Sequence, residues 1–138
     1  MVNFEISPLA VKLFGISNEL DRFDFLTDVA LAADKFPPEL KTDEHRLRSC
    51  ETKTWYSLDF DGAVRLNIES DSLFVKGLCL VLADVVKNAS PGEIKSGIGF
   101  AEKCFDEKII TDDRRKGLSS LENEMIKFAN KISTGGTK

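Results

Sequence analysis

The chain has 138 residues, 42% of them hydrophobic and 30% charged, with ten phenylalanines. One hydrophobic core suits that length, and the composition excludes a disordered chain. A net charge of −4 argues against nucleic acid or an anionic membrane surface as the main partner. No apolar run approaches the ~18 residues of a spanning helix, and "MVNFEISPLA" is not a basic-then-apolar leader, so a soluble, cytoplasmic protein is expected.

In chain order, Ser7-Pro8 pairs an N-cap with proline at the first helical position, so "SPLAVKLF" opens a short helix that Gly15 ends. Phe23, Leu26, Ala30 and Ala33 then recur at helical spacing, and Pro37-Pro38 turns "ELKTDEHR" into an extended connection. "WYSLDF" and "AVRLNIES" alternate and are rich in β-formers, and Asp61-Gly62 between them signals a hairpin. "HRLRS" supplies a third strand, placing Cys50 in the loop between the first two.

Ser70 or Asp71 caps the next helix, "SLFVKGLCLVLADVV", whose nearly all-apolar circumference marks the centre of the core. Ser90-Pro91-Gly92-Glu93 is a capping box that starts a helix running toward Phe105. Thr111-Asp112-Asp113 caps the last helix, in which Leu118, Leu121, Met125, Phe128 and Ile132 mark the buried face. Arg114, four residues before Leu118, shares that register at a helix start, where the dipole disfavours a cation. It is either an arginine snorkelling at the rim or a cation aimed at a site. Residues 132–138, ending in "STGGTK", read as a frayed tail of a single 1–138 domain.

Three widely spaced cysteines fit neither a disulfide framework nor a metal knuckle, and nothing calls for a bound metal or cofactor. Cys79 lies in the apolar "GLCLVL" and Cys104 beside Phe105, both positions for a small buried hydrophobe. Cys50 differs: Arg46, Arg48 and Lys53 flank it and would stabilise a thiolate if they lie close in space. The only histidine, His45, is about 16 Å away along an extended chain and reads as a solvated surface residue, so no local Cys–His dyad forms. Thiolate attack on sulfur needs no such base. With no resolving cysteine in the loop, sulfur acceptance is favoured over disulfide exchange.

"HRLRSCETKTWYSL", "NIESDSLFVKGL" and "TDDRRKGL" resemble the SufE family of sulfur acceptors, and "FPPELK" resembles its Leu-Pro-x-Leu segment. The likeness runs from about Leu20 to Ile132, and Cys-Glu-Thr-Lys-Thr-Trp is closer to the related CsdE branch than to the commonest Cys-Gln-Ser-x-Val-Trp pattern. The resemblance implies a SufE-like domain, similar in fold to the U-type scaffold proteins: α+β, a small antiparallel three-stranded sheet packed on one face by helices. It implies that Cys50 takes persulfide sulfur from a PLP-dependent cysteine desulfurase of the SufS or CsdA kind. The sulfur then passes to a recipient such as a cluster scaffold in iron–sulfur assembly. Such a protein is an accessory carrier that stimulates the desulfurase rather than an enzyme. Trp55 is then a packing anchor, and Asp71 and Arg114 are partner or loop contacts, or a pair with each other. An iron–sulfur scaffold and a non-catalytic adaptor of the same fold remain open as other readings.

Overall fold

The structure is a computed structural model that describes residues 2–135, with side chains described as far as Ile132. Residues 136–138 of the expected frayed tail lie outside the described residues, and the last helix runs to Gly135.

Helix α1 spans Pro8–Phe14 and is capped as its sequence requires. The buried Ser7 hydroxyl accepts from the Ala10 N–H at 3.1 Å and donates to Asp84 at 2.6 Å. Helix α2 spans Glu19–Ala32 and buries Leu26 and Ala30. Phe23, which shares their helical spacing, is 49% exposed and stacks on Phe74 at 6.0 Å. The connection after the prolines is not extended: single 3-10 turns form at Pro38–Leu40 and Asp43–His45.

Strands β1 (Thr54–Phe60) and β2 (Val64–Ser70) pair antiparallel around the Asp61-Gly62-Ala63 turn, with Tyr56 opposite Ile68 and Leu58 opposite Leu66. Val64, Leu66 and Ile68 point into the core while Arg65 and Asn67 face solvent, the period-2 pattern of a sheet covered on one side. The expected third strand is absent among the described residues: the sheet has two strands, and "HRLRS" contributes one bridge, Arg46 to Trp55. The turn at Asp43–His45 and a second turn at Arg48-Ser49 leave only Arg46 and Leu47 extended. Leu47 uses that short extension to bury its side chain.

Helix α3 (Leu73–Lys87) is the centre of the core, burying eight residues from Val75 to Val86 against α2, α1 and β2. Its N-cap is Ser72, not Ser70 or Asp71: the Ser72 hydroxyl accepts from the Val75 N–H at 3.2 Å. The capping box at Ser90 and Glu93 forms, but α4 (Pro91–Lys95) stops early, and a separate α5 covers Phe100–Asp106. Gly97 and Gly99 between them adopt φ of +117° and +76°, values that favour glycine and that end a helix.

Helix α6 (Asp112–Gly135) packs on α4 and α5 through Leu118, Leu121, Met125 and Ala129, with Phe128 and Ile132 only half-buried. Most of the buried residues form one contiguous cluster, from which Ala30, Phe36 and Trp55 stand apart, and Phe4, Phe14 and Phe100 pack together with ring centres 5.8–6.0 Å apart. No helix among the described residues is long and apolar enough to cross a membrane.

Candidate functional site

Residues 48–53 form a loop pinned at both ends. The Leu47 N–H donates to the Thr54 carbonyl at 2.8 Å, and the Asp71 N–H donates to the Lys53 carbonyl at 3.0 Å. Below it runs the first half of α6, where Gly117 lets the backbone of Ser49 and Cys50 come close, and Ser120 Oγ donates to Ser49 Oγ at 3.1 Å. Cys50 therefore sits on a short loop held between the start of the sheet and a helix, not between two strands of a longer sheet.

The Cys50 side chain is half-buried. It lines a cavity of about 20 Å³ with Leu47, Val75, Leu78, Cys79, Arg114, Gly117 and Leu118. That volume holds one water-sized atom. The Thr54 hydroxyl lies 3.6 Å from Cys50 Sγ, and it also reaches the Thr52 carbonyl at 3.1 Å and Ser70 Oγ at 3.0 Å. Ser70 Oγ in turn accepts from the Ser72 N–H at 3.2 Å. A hydroxyl chain thus runs from the end of β2 to the thiol, through Thr54, which sequence reasoning passed over, and Ser70, which it read only as a helix cap. The one available signal was two small hydroxyl residues facing each other at the open end of the hairpin.

The cations expected around the thiol are engaged elsewhere. The Arg46 guanidinium lies 5.8 Å from the Trp55 ring centre, and Arg48 reaches back to the Asp43 carbonyl at 3.4 Å. Lys53 is exposed and holds the loop through its backbone. The cation on the cavity wall is Arg114, brought by α6, whose guanidinium lies over the Phe74 ring at 4.7 Å. Its side chain is exposed, so it occupies the rim rather than the core face. Asp71 is exposed too, and among the described residues no ion pair joins it to Arg114.

Trp55 is an anchor: 9% exposed, it is covered by the Lys41 ammonium at 4.6 Å and by Arg46. The proline segment accordingly serves to deliver Lys41. His45 is half-buried, contacts Thr42 at 3.2 Å and does not line the Cys50 cavity.

Cys79 and Cys104 are buried, as expected. Burial pushes the Cys79 thiol up to about 12, with nearby Cys50 adding to the shift, and burial pushes Cys104 well above the ordinary thiol range. Both are held as neutral thiols. Among the described residues no three His, Cys, Asp or Glu side chains converge in a way that could hold a metal ion.

The fold matches the solution structure of a hypothetical protein from Thermus thermophilus with a TM-score of 0.75 at 22% identity, over 97% of this chain and 99% of the other. The chain is 27% identical over 96 residues to the chloroplastic quinolinate synthase of Arabidopsis thaliana, covering 68% of this chain and 13% of that protein. It is also 27% identical over 88 residues to the chloroplastic SufE-like protein 2 of the same plant, covering 62% of this chain and 34% of that protein. The chain thus spans only a minor part of the curated relatives it matches. Residues 9–129 match SufE, described as an Fe-S metabolism associated domain. With nearly all of its length inside that match, the chain belongs to the SufE family, whose domain is associated with Fe-S metabolism.

Proposed function

We propose that Cys50 is a sulfur acceptor: it takes sulfane sulfur from the persulfide of a PLP-dependent cysteine desulfurase and passes it on to iron–sulfur cluster assembly. The observation that carries this reading is the contrast among the three thiols. Cys50 lies half-exposed on a loop beside a one-atom cavity, while the other two are buried and protonated. In the transfer, the Cys50 thiolate attacks the outer sulfur of the donor persulfide. The donor's sulfur–sulfur bond breaks, and the donor cysteine leaves as a thiolate. The Thr54 hydroxyl is positioned to stabilise anionic sulfur on Cys50, and Arg114 supplies positive charge at the cavity wall. The apolar remainder of the cavity supports a sheltered resting place for the terminal sulfur, away from reductants. The protein acts in this reading as an accessory carrier in the cytoplasm, with Asp71 and Arg114 on the surface that meets the desulfurase.

The test is incubation with a cysteine desulfurase and cysteine, followed by intact mass measurement without reductant. One added sulfur is expected on the wild type and none on Cys50→Ser. A sulfur that still adds to Cys50→Ser would move the acceptor to another residue.

A further inference from the structure

Of the eight residues lining the Cys50 cavity, Cys79 is the only other nucleophile, and sulfur transfer as proposed leaves it unused. It projects from α3 and is 3% exposed, so no external reagent is its natural partner. Cys50 lines the same small space from the 48–53 loop, which is pinned at its two ends and tied to α6 by the Ser120–Ser49 hydrogen bond. A cavity with room for one atom leaves two thiols on its walls within a short movement of each other, and a loop turn supplies that movement more readily than a core helix. Cys104 does not line this cavity.

We propose that Cys79 limits the lifetime of a persulfide held on Cys50, displacing the terminal sulfur and closing a Cys50–Cys79 disulfide when no acceptor takes the sulfur. The inference rests on the reading of Cys50 as a sulfur acceptor. In the step, the Cys79 thiolate donates its electron pair to the inner sulfur, Cys50 Sγ, and the Sγ–Sγ bond forms. The persulfide's own sulfur–sulfur bond breaks, and its electron pair leaves on the terminal sulfur as hydrosulfide. The proton from Cys79 ends on that hydrosulfide, giving hydrogen sulfide. The sulfane sulfur is reduced and the two cysteine sulfurs are oxidised to a disulfide, so no outside oxidant enters. A small-molecule thiol restores both cysteines by exchange.

The buried, protonated state of Cys79 makes this discharge slow, which leaves time for an accessible acceptor thiol to take the sulfur first. The product blocks Cys50 against further loading. A stalled carrier is thereby switched off, with its thiol protected as a reversible disulfide.

The experiment loads wild type, Cys79→Val and Cys79→Ser with inorganic polysulfide, removes the excess, and follows intact mass and free sulfide over time without reductant. Wild type should lose its added sulfur, release one sulfide per chain and settle two hydrogens lighter than the reduced protein, with digestion recovering a Cys50–Cys79 linked peptide. Both variants should keep the added sulfur at least roughly tenfold longer, since they lack the intramolecular nucleophile. Equal retention in all three proteins would overturn the inference while leaving Cys50 as an acceptor. If neither polysulfide nor a desulfurase puts sulfur on Cys50 in any of them, the acceptor reading falls and this step falls with it.

Discussion

Arg114 shows how a side chain's register can mislead about its neighbours. Its spacing from Leu118 places it in line with the buried face of α6, yet Arg114 is exposed in the first turn of that helix, with its guanidinium 4.7 Å from the Phe74 ring centre. The pairing with Asp71 that the sequence allowed is absent among the described residues. In a double-mutant cycle, Arg114→Ala and Asp71→Ala should therefore add within about 0.3–0.5 kcal/mol in urea unfolding. Arg114→Ala combined with Phe74→Leu should instead show a coupling of about 0.5–1 kcal/mol, the worth of a partly exposed cation–π contact. Coupling between Arg114 and Asp71 above that range would restore the ion pair. The thiol's surroundings teach the same lesson. Arg46, Arg48 and Lys53 are near Cys50 along the chain, but the backbone sends two of them to Trp55 and Asp43, and the cation at the cavity comes from 64 positions later in sequence.

At the scale of elements, α2 and α3 approach so closely that a Cβ on Gly77 would overlap the carbonyl oxygen of Leu26. Gly77→Ala should cost about 3 kcal/mol or more, because helix backbone rather than a mobile side chain would have to yield. Gly117→Ala provides the contrast: the added methyl would sit at 3.5–3.8 Å from Ser49 and Cys50, ordinary contact, and alanine favours the helix. Its unfolding free energy should stay within about 1 kcal/mol of wild type, and a larger loss would mean the loop rests harder on α6 than its geometry implies.

The junction of α5 and α6 has a different device. Gly99 offers no side chain to cap α5, and Glu122, buried at 7% exposure on α6, accepts from the Ala101 N–H at 2.6 Å in its place. Burial raises its carboxyl from 4.5 to about 7, against the pull of backbone N–H groups at Gly99, Phe100 and Ala101. A raised carboxyl holds its proton in the folded chain after the unfolded chain has released it. Stability from this group is therefore full below about 4.5 and is lost as pH rises to about 7. Glu122→Gln should flatten the fall in unfolding free energy across that window while keeping the cap to Ala101. An unchanged slope would assign the pH dependence to other groups.

At the scale of the whole molecule, the loop of residues 48–53 lies over a core whose central helix, α3, buries eight of its fifteen residues. Sulfur transfer between proteins requires Cys50 Sγ to emerge for in-line attack, so the loop should open far more often than the domain unfolds. Amide exchange at residues 48–53 should be faster than at α3 by orders of magnitude, and exchange as slow as α3, both free and with a desulfurase, would exclude loop opening. The same contrast separates what was legible in the sequence. Ser7-Pro8, the Ser90–Glu93 box, the Asp61-Gly62 turn and the apolar α3 were readable because caps, turns and amphipathic periods act over a few residues, where the chain's own covalent geometry dominates. The half-exposure of Cys50 was legible for a related reason, since its polar neighbours in sequence already set it apart from the buried Cys79 and Cys104. The missing third strand, the α4–α5 break and the exposure of Phe23 depended on how much room the packed helices left. So did the company Cys50 keeps. Thr54, Ser70, Cys79, Arg114 and Gly117 meet the thiol only because β1, β2, α3 and α6 converge there. Contacts between residues tens of positions apart are selected by burial of the common core, a property of the assembled chain that no local stretch encodes by itself.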